Sequence, residues 1–104
     1  MTPVAWTKGA LDDLESILEY VAARSLQGAA TVSARVSEAE QTIALFPRAS
    51  RRDVETGTYE AVVTGVPLLI IYELITTPDG EHQADVIAVF HTSRDPGTKP
   101  GRRE

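Results

Sequence analysis

The sequence has no cysteine in its 104 residues, which excludes a disulfide framework, a thiolate zinc site and a cysteine nucleophile together. It also lacks any apolar run near the ~18 residues of a spanning helix, and its start, Met1-Thr2-Pro3-Val4, lacks the basic and apolar regions of a signal peptide. A soluble cytoplasmic protein with no membrane partner is the expectation. Basic charge is in deficit too. Fifteen acids against ten bases give a net charge of -5, which argues against a uniformly basic nucleic-acid binder, because phosphate neutralisation supplies most non-specific affinity. Neither internal repeats nor low-complexity segments interrupt the chain.

What remains is an ordinary globular composition, 42% hydrophobic and 24% charged, in a length that suits one domain with a small core. The bases that are present cluster. Residues 1–46 hold only Lys8, Arg24 and Arg35, whereas the later chain carries Arg48, Arg51 and Arg52, then Arg94, Lys99, Arg102 and Arg103. Local cationic patches are therefore available on an acidic whole.

Pro3 to Trp6 reads as a short strand, with Trp6 a core anchor, stopped by Thr7, a good N-cap. Leu11, Leu14, Leu18 and Val21, reinforced by Ala10 and Ile17, recur at helical spacing and predict an amphipathic helix from about Lys8 to Arg24. Asp12 and Asp13 read as its solvated face. Ser25 to Gly28 reads as a break. A second stripe, Ala29, Val32, Val36, Ala39, Ile43 and Phe46, stops against Pro47. Two helices joined so closely form an antiparallel hairpin.

Residues 47–58 are polar and basic and read as a loop. Three strand-like runs follow, Tyr59 to Val63, Leu68 to Ile75 and Ala84 to His91, separated by Thr64-Gly65-Val66-Pro67 and Thr77-Pro78-Asp79-Gly80. The expected fold is α+β, an antiparallel helical hairpin packed on a small, mainly antiparallel sheet in the order β-α-α-β-β-β. The middle run is apolar on both faces, which makes it central and raises the question of what covers the side away from the helices. One domain over residues 1–95 and a flexible tail over 96–104 complete the organisation.

Few residues are arranged for chemistry. His82 and His91 lie too far apart to chelate a metal, Gly57 and Gly65 form no phosphate loop, and no serine sits in a glycine elbow, so no cofactor is implied. Phe90-His91-Thr92-Ser93-Arg94-Asp95 remains, at the rim of the last strand, where a histidine changes charge near neutrality and an arginine grips phosphate or carboxylate. Arg51 and Arg52 either converge on that rim or neutralise Asp53 and Glu55. Tyr59 and Tyr72 either stack on a base or pack in the core.

The order of elements resembles the RelE/ParE superfamily of bacterial type II toxin-antitoxin toxins over residues 3–95. The resemblance is carried by Val4-Ala5-Trp6-Thr7, Ala10-Leu11-Asp12-Asp13-Leu14, Ile17 with Tyr20, Ile43 to Pro47, Gly57 to Val63, Pro67 with Ile70-Ile71-Tyr72, and Val86 to Asp95. The closing His91 and Arg94 before Asp95 look most like the ParE branch. The resemblance implies a cytoplasmic toxin held in a toxin-antitoxin hetero-oligomer by an antitoxin segment that folds as it buries apolar surface. Leu69, Ile71, Glu73 and Ile75 are the antitoxin-binding candidates.

RelE-like relatives cut mRNA on the ribosome with cationic and proton-transferring side chains, for which the candidates are Arg52, His91 and Arg94. ParE-like relatives poison DNA gyrase by binding, for which Arg51, Arg52, Tyr59, His91 and Arg94 are the target-binding candidates. Tyr59 stands where many relatives have an arginine, and the acidic balance opposes docking into ribosomal RNA. The expectation is therefore a ParE-like gyrase inhibitor without its own catalysis; the alternatives are a RelE-like mRNA endonuclease bound to the ribosome and a non-toxic binding module.

Overall fold

The computed structural model describes residues 1–92; Arg94 and the tail expected at 96–104 lie outside the described residues. The chain runs β1 (Val4–Trp6), α1 (Lys8–Ala22), α2 (Leu26–Leu45), β2 (Arg51–Arg52), β3 (Tyr59–Val63), β4 (Leu68–Thr76) and β5 (His82–His91). The α+β architecture is as expected, with one strand more. Arg51 and Arg52, read as loop, pair antiparallel with Glu60 and Tyr59. Asp53 makes that hairpin: its carboxylate accepts from the Glu55 N–H at 2.9 Å and its C=O from the Gly57 N–H at 2.7 Å. Gly57 takes φ of 77° there, a left-handed conformation that glycine adopts without cost.

Thr7 joins strand to helix through one side chain. Its hydroxyl oxygen accepts from the Ala10 N–H at 3.2 Å, capping α1, and donates to the Val86 C=O at 3.0 Å. Ser25 caps α2 by accepting from the Gly28 N–H at 2.9 Å. The second helix therefore begins at Leu26, inside the stretch read as a break.

In α1 the buried positions are Ala10 and Ile17, with Leu14, Leu18 and Val21 partly buried beside them; Leu11, read as part of the core stripe, is turned outward and half exposed. In α2 the buried side is Val32, Val36, Ile43 and Ala44, and Phe46 ends the helix exposed. Trp6 donates from Nε1 to a carboxylate oxygen of Glu40 at 2.9 Å, tying β1 to α2.

The sheet order is β1-β5-β4-β3-β2, antiparallel except where β1 runs parallel to β5. Side chains of a strand alternate between faces. Tyr59, Val63, Leu68, Ile70, Tyr72 and Val86 meet the helices in the main core, whereas Leu69, Ile71, Ala88 and Phe90 form a second cluster on the other face. The alternation shifts once. Ile71 pairs with Ala88 but Tyr72 with Val86, so Ile87 is an extra residue, a bulge. It moves Ala84 and Val86 before it, and Val89 after it, onto the helix side.

The same end of β5 solves an edge problem. β1 pairs with Ala84 to Val86, so beyond Val86 the outer edge of β5 has no strand beside it among the described residues. Asp13, read as solvated, is half-buried there and its carboxylate accepts from the Val89 N–H at 3.0 Å. A charged acceptor at a strand edge satisfies the amide and blocks further pairing. Asp13→Ala is expected to cost about 1–3 kcal/mol by orphaning that amide, measured as a lower urea midpoint with an unchanged slope. Asp12→Ala is the control: Asp12 only meets Lys8 at 3.0 Å in an exposed pair, and its loss should cost no more than about 1 kcal/mol.

Candidate functional site

The candidate residues fall on three separate surfaces. His91 closes β5 at one rim of the sheet, and its ring meets that of Tyr20 edge-on, with centroids 6.2 Å apart and planes at 68°. Arg24 lies one helical turn beyond Tyr20, so its guanidinium carbon sits 3.8 Å from the centre of the Tyr20 ring while Nη1 donates to the Tyr20 C=O at 3.0 Å. Arg24, Tyr20 and His91 thus stand in a row. Neither Arg24 nor Tyr20 is singled out as a site residue by the sequence; the only signal is their spacing of four at the end of α1 and just beyond it. Arg94, expected at the same rim, lies outside the described residues.

Arg51 and Arg52 are elsewhere. Arg52 pairs with Tyr59, which pairs with Tyr72, and four residues along β4 from Tyr72 is Leu68, the partner of His91. Three strand spacings across and four residues along place Arg52 about 20 Å from His91. The two sets do not converge on one rim. Nor do the arginines pair with Asp53 and Glu55 among the described residues; Arg51 reaches Glu60 at 3.4 Å instead.

Tyr59, a target-binding candidate, faces the helices, 9% exposed. Its ring stacks on that of Tyr72 at 5.3 Å and 14°. Tyr72 is fully buried and its hydroxyl donates to the Pro47 C=O at 2.6 Å, fixing the chain where it leaves α2. Both are core groups. Burial pushes the Tyr72 phenol above the usual value of 10.0, with a hydrogen bond to the Ser50 side chain acting the other way and Tyr59 adding to the rise.

The neutral phenol is thus favoured in the native state. The contribution is fully present below about pH 10 and is lost as pH rises through the native value, because the unfolded phenol ionises first. The stability difference between wild type and Tyr72→Phe should therefore be constant, about 1 kcal/mol in favour of the wild type, up to about pH 10, and shrink above it. Urea titrations from pH 7 to 11 check this; a difference that grows with pH would contradict it.

The antitoxin-binding candidates Leu69, Ile71, Glu73 and Ile75 share the sheet face away from the helices. Only Glu73 and Ile75 are partly accessible there; Leu69 and Ile71 are buried. Apolar surface is instead open on the outer side of the hairpin. A groove of about 760 Å³ runs between the helices over Leu11, Leu14, Leu18 and Ala30, rimmed by Asp12, Glu15 and Glu19.

A helical hairpin laid on one face of a small sheet, with its cationic groups spread over separate surfaces, defines a protein suited to contacts with other macromolecules. The model of the ParE toxin family of the parDE type II toxin-antitoxin system matches residues 4–96, and the chain belongs to that family. Membership implies a cognate antitoxin as partner. No curated protein sequence matches the chain at a significant level. Among the described residues no helix is long and apolar enough to cross a membrane.

Proposed function

We propose that this protein is a toxin that inhibits DNA gyrase by binding it, without chemistry of its own, and that its cognate antitoxin neutralises it. The observation that supports this most is the separation of about 20 Å between Arg52 and His91. Cleavage of an RNA phosphodiester by the candidate set would need Arg52 and His91 within hydrogen-bond reach of one phosphate. Two cationic surfaces that far apart suit an extended protein interface, where arginine and tyrosine are favoured anchors.

Charge points the same way. A net charge of -5 repels ribosomal RNA at long range and is a lesser obstacle to a protein target. For the antitoxin, the acid-rimmed groove over Leu11, Leu14 and Leu18 suits an amphipathic segment with basic flanks, in addition to Glu73 and Ile75 on the sheet. In a purified assay the protein should block supercoiling by gyrase, and an excess of antitoxin should restore it. Translation in a cell extract should continue at its normal rate. Arrested translation with mRNA cut on the ribosome would reverse the assignment, and folded protein inert in both assays would leave a binding module.

A further inference from the structure

The two sides of the sheet end differently. Beyond Val86 the edge of β5 is closed by the Asp13 carboxylate on the Val89 N–H. On the opposite side β2 pairs with Tyr59 and Glu60, so β3 runs on past it, and among the described residues no strand lies along the outer side of Ala61 to Val63. Two hydrogen bonds fix which backbone groups this leaves open. The Asp53 N–H donates to the Thr58 C=O at 2.8 Å, which turns the polar groups of Thr58, and by alternation those of Glu60 and Val62, towards the β2 side. The Thr92 N–H donates to the Pro67 C=O at 2.8 Å, which turns Pro67 and Leu69 towards β5 and leaves Leu68 and Ile70 to bond Val63 and Ala61, their partners in the register. Val62 therefore presents its N–H and C=O outward. Its side chain is 76% exposed, and Ala61-Val62-Val63 carries none of the lysine, proline or bulge that guards an edge.

We propose that two copies of this protein pair through this edge, antiparallel about a two-fold axis at Val63. That register sets Val62 of each copy opposite Thr64 of the other. It stops short of Glu60, whose outward side β2 already holds. A cleft of about 480 Å³ lies between α2 and this edge, with Ala39, Thr42, Ile43 and Ala61 in its lining. The exposed Thr64–Gly65 corner of the neighbour enters it, with no side chain at Gly65 to obstruct the approach.

Charge selects a second copy, because a two-fold interface must be complementary to itself. The cleft carries two bases and two acids, Arg35 with Glu38 at 3.2 Å and Arg51 with Glu60 at 3.4 Å. This patch is thus neutral on a chain of net charge -5. The Arg35–Glu38 pair belongs to the Gly65 end, where a Cβ on Gly65 would meet the Arg35 Nε at 3.2 Å. Arg51 belongs to the Glu60 end. The two-fold exchanges the ends and brings the exposed Arg51 of each copy towards the exposed Glu38 of the other. Arg51 uses Nη1 on Glu60 and keeps further donors for that contact. The groove between the helices offers no such match, since its rim of Asp12, Glu15 and Glu19 would meet only like charge on a second copy.

An edge contact this short belongs to the weak, concentration-dependent class. Sedimentation velocity of the full-length chain at rising concentration, with amide hydrogen exchange at the same concentrations, tests it. The mean mass should climb from that of one chain towards that of two, and the Val62 amide should gain protection in step. Val62→Lys, at an exposed position that leaves the fold intact, sets like charges on both sides of the axis and should raise the concentration for half-dimerisation by about tenfold. Val54→Lys, 85% exposed in the turn between β2 and β3, should leave it unchanged. A monomer at every concentration would overturn the proposal. So would a dimer in which the Val62 amide exchanges as fast as in the monomer, or one that Val62→Lys leaves as tight as the wild type.

Discussion

Tyr72→Ala is expected to remove about 3–5 kcal/mol of stability, the cost of truncating a large buried aromatic. Tyr72 is the largest fully buried side chain among the described residues, and three kinds of contact end in it. Its ring stacks on Tyr59 at 5.3 Å, a pair that contributes beyond the area it buries. Its hydroxyl holds the Pro47 C=O, which anchors the connection from α2 to β2. Its body fills the core where Val86 precedes the bulge. A domain of this size has about 5–15 kcal/mol in total, so the variant should sit near its unfolding threshold. Urea unfolding measures the loss, and a cost below about 1 kcal/mol, the value of the hydroxyl bond alone, would mean that the ring has little part in the core.

Ile70→Ala is expected to cost about 2–5 kcal/mol. Ile70 has no exposed surface, sits in the middle of the central strand, and pairs with Ala61 on one side and Val89 on the other. Alanine there leaves a cavity bounded by two strands and a helix layer, which cannot close without moving the sheet. Val62 is the contrast. It follows Ala61 on β3, pairs with Leu69 and so faces away from the helices, 76% exposed, and Val62→Ala should change stability by no more than about 0.5 kcal/mol. Equal losses at the two positions would contradict the assignment of faces.

Much of the fold was legible because its elements announce themselves by period and punctuation. The stripes of α1 and α2, the cap at Thr7, and the strands read at Tyr59 to Val63, Leu68 to Ile75 and Ala84 to His91 follow from spacing and turn residues, and the structure extends the last two to Thr76 and back to His82. Local signals failed where a long-range contact decides. Arg51 and Arg52 form a strand because β3 offers them a partner edge, and two arginines carry no strand pattern. The run Val86 to Phe90 is apolar throughout, so nothing in it marks Ile87 as the bulge that changes its phase. Asp13 looks like any solvated helix carboxylate until β5 is laid beside it.

The candidate site was less legible for the same reason. His91 is marked by its place at a strand end, but the arginine that shares its surface among the described residues is Arg24, just beyond the end of α1. Arg52, for which convergence on His91 is one of two sequence readings, is carried away by three strands. Tyr59 was open to two readings, and pairing with Tyr72 puts it in the core.

Binding without catalysis is tested most directly by a titration of gyrase supercoiling with wild type and the double variant Arg52→Ala/His91→Ala. Loss of the exposed Arg52 and the partly exposed His91, on separate surfaces, should together weaken inhibition by about tenfold, or 1.4 kcal/mol, with the plateau of inhibition unchanged. Wild-type protein that leaves gyrase untouched but cuts mRNA on translating ribosomes, with the double variant inactive, would contradict it.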